Sequence, residues 1–429
     1  MNRALFLGIL LYALLLLGLA SVNGDLLALA IPLALYLLAS AWSVPAAVDL
    51  DVRRELSVQR VNPGQAVTLT VEVINRGSAL EELTVVDDLP AGLTLLDGTN
   101  RHLIRLAAGR AASWTYTVSG PRGDYVFAPL RVTAGEALGL FKRDESLTAP
   151  ARLLVLPSVP RLRNIAIRPR RTRVYAGTIP ARVGGAAVDF FGVREYQTGD
   201  PPRRINWHLS ARQADGLFSN EFEQERVAEV GLLLDGRDRT NRFGEQRSLF
   251  EYSVLACASL TDALRRQGNR LGLLVYGHFP QWTIPGYGKV QRERVMQALA
   301  AARPGRSEIF TSLAHLPTKF FPNHSQIIVV SPLAPDDLNT LMALRARGYQ
   351  LMVVSPDPVR FELSYLPAAV EVHGAARVVR LERGLLLRRL QRAGILTVDW
   401  DVSQPFDRVI RSALGRGPRG VRPWGRSSL

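Results

Sequence analysis

The chain of 429 residues has room for two or three domains, and 53 Lys and Arg against 38 Asp and Glu give it a formal net charge of +15. Its single cysteine, Cys257, excludes an internal disulfide framework; among apolar residues of an expected helix, with no histidine partner suggested nearby, it reads as a small core residue and not a nucleophile. The charge is concentrated: residues 161–182 hold seven arginines and residues 411–429 five, neither segment with an acid, so the rest of the chain is nearly balanced.

Residues 4–20 form an uncharged apolar run and residues 26–42 a second, ending at Trp42. Each is near the lower limit of about 17 residues for a spanning helix, and only Ser21–Asp25 separates them. Residues 1–48 are therefore expected to be a transmembrane helical hairpin; a signal peptide ending near Ala20 would leave the second run too close to a mature N-terminus. Arg3 precedes the hairpin, Arg53 and Arg54 follow it, and the turn carries only Asp25. The positive-inside rule then gives a multi-pass inner-membrane protein whose soluble domains face the cytoplasm. On such a protein the two Arg-rich segments read as contacts with anionic lipid, at about 1 kcal/mol per arginine near the surface. Nucleic acid suits them less well, because Tyr175 and Trp424 stand isolated and no aromatics interleave the arginines.

Residues 49–157 read as an all-β, immunoglobulin-like sandwich. Val67–Val73 alternates apolar and polar residues, Asn62-Pro63-Gly64 and Asn75-Arg76-Gly77 mark turns, and further strands are expected at 83–86, 112–118, 125–132 and 151–156. Residues 158–226 comprise an Arg-, Pro- and Gly-rich linker, to about 186, and a dense signature.

That signature includes Phe190-Phe191-Gly192-Val193-Arg194-Glu195-Tyr196, then Gly199-Asp200-Pro201-Pro202-Arg203-Arg204-Ile205-Asn206-Trp207-His208-Leu209-Ser210-Ala211-Arg212, then Glu221–Arg226. Asp200 is placed to cap a short helix with proline in its first turn. Asp200, Arg203, Arg204, Trp207 and Arg212 are the candidate partner-binding residues, with Trp207 expected to pack on the following sheet. The run resembles the signature of the domain of unknown function 58 family. Pro121–Tyr125 and Gly139-Leu140-Phe141 resemble further positions of that family, whereas Asn206 stands where it usually has Asp. The resemblance implies a membrane-anchored protein with a von Willebrand factor A-like domain and a MoxR-type AAA+ ATPase as partner.

Residues 227–414 alternate strands (230–235, 271–276, 326–331, 351–355, 396–400) with helices (247–266, 290–302, 335–347, 381–393, 405–414), the pattern of a doubly wound parallel α/β domain. It fits the von Willebrand A-like domain. Residues 415–429 are expected to be a basic disordered tail.

In von Willebrand A domains the first strand leads into Asp-x-Ser-x-Ser, a hard-oxygen cage for Mg²⁺ or Mn²⁺. Here the loop reads Asp235-Gly236-Arg237-Asp238-Arg239, with arginine at both serine positions, and Pro332 stands where a later Asp is expected. Guanidinium groups cannot ligate a cation, so the site is read as degenerate, with no metal and Asp235 and Asp238 paired to local arginines. Asp336 and Asp337 read as first-turn acids of the next helix. No histidine pair has metal-ligand spacing, Gly286–Lys289 lacks the first glycine of a phosphate loop, and Ser210 with His208 is two residues apart on a helix. The expected function is a non-enzymatic adaptor without a cofactor; a hydrolase using Asp200, His208 or Ser210, and a binder of nucleic acid or lipid through the arginines, are the alternatives.

Overall fold

The computed structural model describes residues 3–22, 24–43, 48–135, 140, 142–162, 173–213, 216–227, 229–241, 248–277, 280–306, 312–313, 321, 325–367 and 369–415. The expected tail, the arginines at 163, 168, 170 and 171, Gly139, Phe141 and the histidines at 278, 315 and 324 lie outside them. The chain divides into two compact units, Met1–Leu156 and Pro157–Leu429.

In the first unit, helix α1 (Arg3–Ala20) packs on α2 (Gly24–Ser43), and a Cβ at Gly18 would come within 3.0 Å of the Leu27 side chain. Of the two, Gly24–Trp42 is long and apolar enough to cross a membrane, while Ala4–Ala20 is a shorter apolar helix.

Among the described residues eleven strands follow: β1 (Leu50–Leu56), β2 (Arg60–Val61), β3 (Val67–Asn75), β4 (Leu80–Val86), β5 (Thr94–Gly98), β6 (Arg101–Leu106), β7 (Ala111–Ser119), β8 (Gly123–Val126), β9 (Leu130–Gly135), β10 (Lys142–Leu147) and β11 (Arg152–Val155). They form sheets of order β1-β3-β7-β5, β10-β9-β4-β6 and β2-β11-β8 that share one apolar core. The alternation read in β3 sends Val67, Leu69, Val71 and Val73 inward, each such burial contributing about 1.5–3 kcal/mol. The strand expected over 125–132 is two: Pro129, which has no N–H for a ladder, lies between β8 and β9, and these join different sheets. A buried ion pair crosses this core. Arg54 donates from Nε and Nη2 to Asp87 at 2.8 and 2.7 Å, the Tyr116 hydroxyl donates to the same carboxylate at 2.6 Å, and the guanidinium lies 5.0 Å from the Phe127 ring centroid.

The second unit opens with an antiparallel pair, β12 (Arg173–Glu195) and β13 (Phe218–Val227), whose register shifts at several points. Residues 173–186, read above as linker, are thus strand. Between β12 and β13 lies the short helix α3 (Trp207–Ser210), and next come β14 (Glu229–Asp235), α4 (Leu249–Arg266), β15 (Arg270–Tyr276), β16 (Gln281–Gly286), α5 (Gly288–Ala301), β17 (Gln326–Val330), α6 (Asp337–Ala346), β18 (Gln350–Pro356), α7 (Pro358–Leu363), α8 (Val370–Arg392), β19 (Leu396–Trp400) and α9 (Phe406–Gly415). The sheet order is β16-β15-β14-β17-β18-β19. It is mixed where a parallel sheet was expected: β16 runs antiparallel to β15 because only Gly277–Pro280 connects them, too short for a parallel crossover. Leu233, Ile327, Val329, Leu351 and Val353 form one cluster with Leu341 and Leu344 of α6 and Leu390 of α8. Their neighbours Leu232, Leu234, Ile328, Met352 and Val354 point to the other face by strand alternation and are equally buried.

A crevice closed by its own arginine, and an exposed signature loop

The chain leaves β14 for β15 on one side and returns to β17 on the other, so the topological switch point lies beyond the carboxyl ends of β14 and β17. Asp235 ends β14 there, and Ser331 follows β17. Arg237, two residues past the strand, turns back into this crevice. It donates from Nε to Asp235 Oδ1 and from Nη2 to Asp235 Oδ2, both at 2.8 Å, and from Nη1 and Nη2 to the two oxygens of Asp337 at 2.9 and 2.8 Å. Hydroxyls complete the shell: Thr240 Oγ1 and Ser331 Oγ donate to Asp235 Oδ2 at 2.9 and 2.6 Å. The backbone closes it, with Arg237 N–H on Asp235 Oδ1 and Ala334 N–H on Asp337 Oδ2. Asp235, Arg237, Thr240, Ser331 and Asp337 are all buried.

Burial alone would push the Arg237 guanidinium down, but its hydrogen bonds and charge pairing with Asp235, then Asp337, more than offset that and raise it. The adhesion-type cage implied by the resemblance does not fit these residues, since a permanent cation already engages both carboxylates. Of the two arginines read in this loop, only Arg237 enters the crevice. Arg239 faces outward and donates to Asp336 at 2.7 Å, both side chains substantially exposed. Asp337 lies in the first turn of α6, as expected, and is also the second anion of the buried group. Nothing in the local sequence marks it, because its partner lies 100 residues away.

The loop after β17 is held in a strained shape. Leu333 has φ +67°, uncommon for a branched residue; its N–H donates to Ser331 Oγ at 3.0 Å. Arg383 of α8 donates to Pro332 O at 2.9 Å, Ser355 O at 3.1 Å and Asp399 Oδ1 at 2.7 Å, tying the ends of β17, β18 and β19 together. Cys257 is fully buried in α4, which pushes its thiol up, away from nucleophilic use.

The signature lies on the excursion between β12 and β13. Asp200 does not cap a helix. Its carboxylate accepts from Arg194 Nη2 at 2.8 Å and from Gln197 N–H at 3.1 Å, and these two bonds hold the carboxyl below its usual range. Pro202–Arg204 is a single 3-10 turn, and the helical turn Trp207–Ser210 is capped by Asn206, whose Oδ1 accepts from Leu209 N–H at 3.0 Å. Its Nδ2 then donates to Asn220 Oδ1 on β13 at 2.8 Å, a bond that an aspartate could not donate. Ser210 Oγ accepts the Phe218 N–H at 2.8 Å, so that hydroxyl is committed to the loop's own geometry.

Trp207 is 64% exposed, contrary to the expectation that it packs on the sheet. A single helical turn carries no periodicity from which its direction could be read. Arg203, His208 and Arg212 are exposed with it, and Arg204 is half-buried.

The second unit is thus an α/β domain whose switch-point crevice is filled by its own guanidinium and whose exposed chemistry sits on a pinned loop. The family described as protein of unknown function DUF58 matches residues 192–375, from within β12 into α8, and this segment of the chain is similar to that family. It is also similar to the uncharacterized protein YeaD of Bacillus subtilis (strain 168), 26% identical over 234 residues, which are 53% of this chain and 56% of that protein; the chain spans little more than half of that relative's length. Among solved structures, the CARDB domain of a Pyrococcus furiosus protein, in complex with di-metal ions, matches at 18% identity, covering 25% of this chain and 93% of that one at TM-score 0.20. A FixG-related protein from Vibrio parahaemolyticus matches at 11% identity, covering 25% and 95% at TM-score 0.17. At such scores the likeness carries no argument.

Proposed function

We propose that the chain is a membrane-tethered, non-enzymatic adaptor that engages a MoxR-type AAA+ ATPase in a chaperone-like or envelope-related process. In this reading α1 and α2 both span the inner membrane, the β unit is an immunoglobulin-like sandwich, and the α/β domain is von Willebrand A-like and cytoplasmic. The strand order and the carboxylate ending β14 support the last assignment.

One observation carries the reading: an exposed tryptophan flanked by arginines on a loop pinned at both ends, in a unit whose crevice is already filled by Arg237. Tryptophan and arginine are the side chains over-represented among residues that dominate binding at protein interfaces. A hydrolytic role for Asp200 or Ser210 is disfavoured because both are held by neighbours within the loop.

The test is capture from native membranes with the tagged full chain. The AAA+ ATPase should co-purify with the wild type and be reduced at least about tenfold with Trp207→Ala and Arg212→Ala combined, a loss of roughly 1.4 kcal/mol or more. Equal capture by both chains would refute the assignment of the loop, and no ATPase with either would refute the partner.

A further inference from the structure

Helix α8 buries Ala376, Arg383, Leu387 and Leu390, a single line at three- to seven-residue spacing that faces the domain. At about 100° per residue, Val378, Leu381 and Leu385 fall on the opposite side of the helix. They are 57%, 60% and 51% exposed, and Val370, 85% exposed, extends the same line toward the helix start. A helix of a soluble domain ordinarily places charge at its outermost line. Here that line is aliphatic, and the charges stand along and beside it. Arg377, Arg388, Arg389 and Arg392 are exposed there, against the exposed acids Glu371 and Glu382 of the same helix.

We propose that this outer face of α8 docks on an anionic lipid surface, with Val378, Leu381 and Leu385 at the acyl boundary and the arginines on headgroup phosphates. The proposal rests on the reading of α2 as a membrane helix, which supplies the bilayer. Arginine stems lie along apolar surface while their heads reach phosphate, so an aliphatic line edged by arginine matches a headgroup interface. A second copy of the chain would set the same excess of arginine against itself. An acidic protein partner would satisfy the arginines, but the line offers it no aromatic anchor. In sequence, these residues lie outside both Arg-rich segments and the signature loop, and most of them lie beyond the segment matched by the family.

The test uses the full chain in nanodiscs of phosphatidylcholine alone or mixed with phosphatidylglycerol, carrying an environment-sensitive fluorophore at Leu385→Cys or, separately, Val378→Cys. Both sites are exposed, so the fold tolerates them, and the native Cys257 is fully buried. With phosphatidylglycerol the emission should shift to the blue and be quenched by doxyl-labelled lipid, and Arg388→Glu with Arg392→Glu should abolish both effects. A label that stays water-exposed in anionic discs overturns the α8 proposal alone. A blue shift that ignores lipid composition but requires two chains per disc assigns the face to a second copy and overturns it too. A chain that fails to enter the discs overturns the membrane reading and this proposal with it.

Discussion

Arg237 is the residue on which the α/β domain's chemistry turns. Two carboxylates converge on one guanidinium inside the protein, and two hydroxyls donate to one of those carboxylates, Asp235. Removing it as Arg237→Ala leaves Asp235 and Asp337 charged, buried and unmatched, which should cost about 3–5 kcal/mol in thermal or denaturant unfolding. Adding Asp235→Asn and Asp337→Asn to Arg237→Ala should recover part of that loss; no recovery would mean that lost packing, not unmatched charge, is responsible. Trp207 is the opposite case. Exposed as it is, Trp207→Ala should move stability by no more than about 0.5 kcal/mol in a melting experiment while weakening partner capture. A large thermal loss would show that it packs after all.

At the scale of elements, the signature loop depends on two small anchors. Asn206→Ala removes the cap of the Trp207–Ser210 turn and should cost about 1 kcal/mol, whereas Asn206→Asp keeps the capping oxygen and should cost less. Hydrogen exchange at Leu209 and Ser210 reads this directly: equal protection in the two variants would contradict the capping role. The Asp200 anchor has its own pH signature. Its carboxyl is depressed by Arg194 and the Gln197 amide, so the anchorage is present above the unfolded value and is lost as pH falls through the depressed one.

The elements also show what a sequence reveals. Strands β14, β15, β17 and β18 of the α/β sheet contain continuous apolar runs, and β3 alternates cleanly, so burial on two faces or one is written into the residues themselves. Strand β16 has no such run and includes Pro285, and its direction follows from a short connection and not from composition. The pairs Arg54–Asp87 and Arg237–Asp337 are 33 and 100 residues apart, and no local pattern encodes them. Asp235 was legible as a partner of a local arginine, whereas Asp337 read only as a first-turn acid of the next helix.

For the whole molecule, the proposed topology puts everything after α2 on the cytoplasmic side. Protease added to intact spheroplasts should leave residues 50–429 uncut, and digestion of that part would overturn the orientation. The central claim is that the α/β crevice carries its own cation, so that partner binding needs no metal. Calorimetric titration of the purified full chain with Mn²⁺ tests it most directly. The expected result is no saturable binding tighter than about 1 mM, roughly −4 kcal/mol. Saturable binding tighter than that, lost in Asp235→Ala, would contradict it.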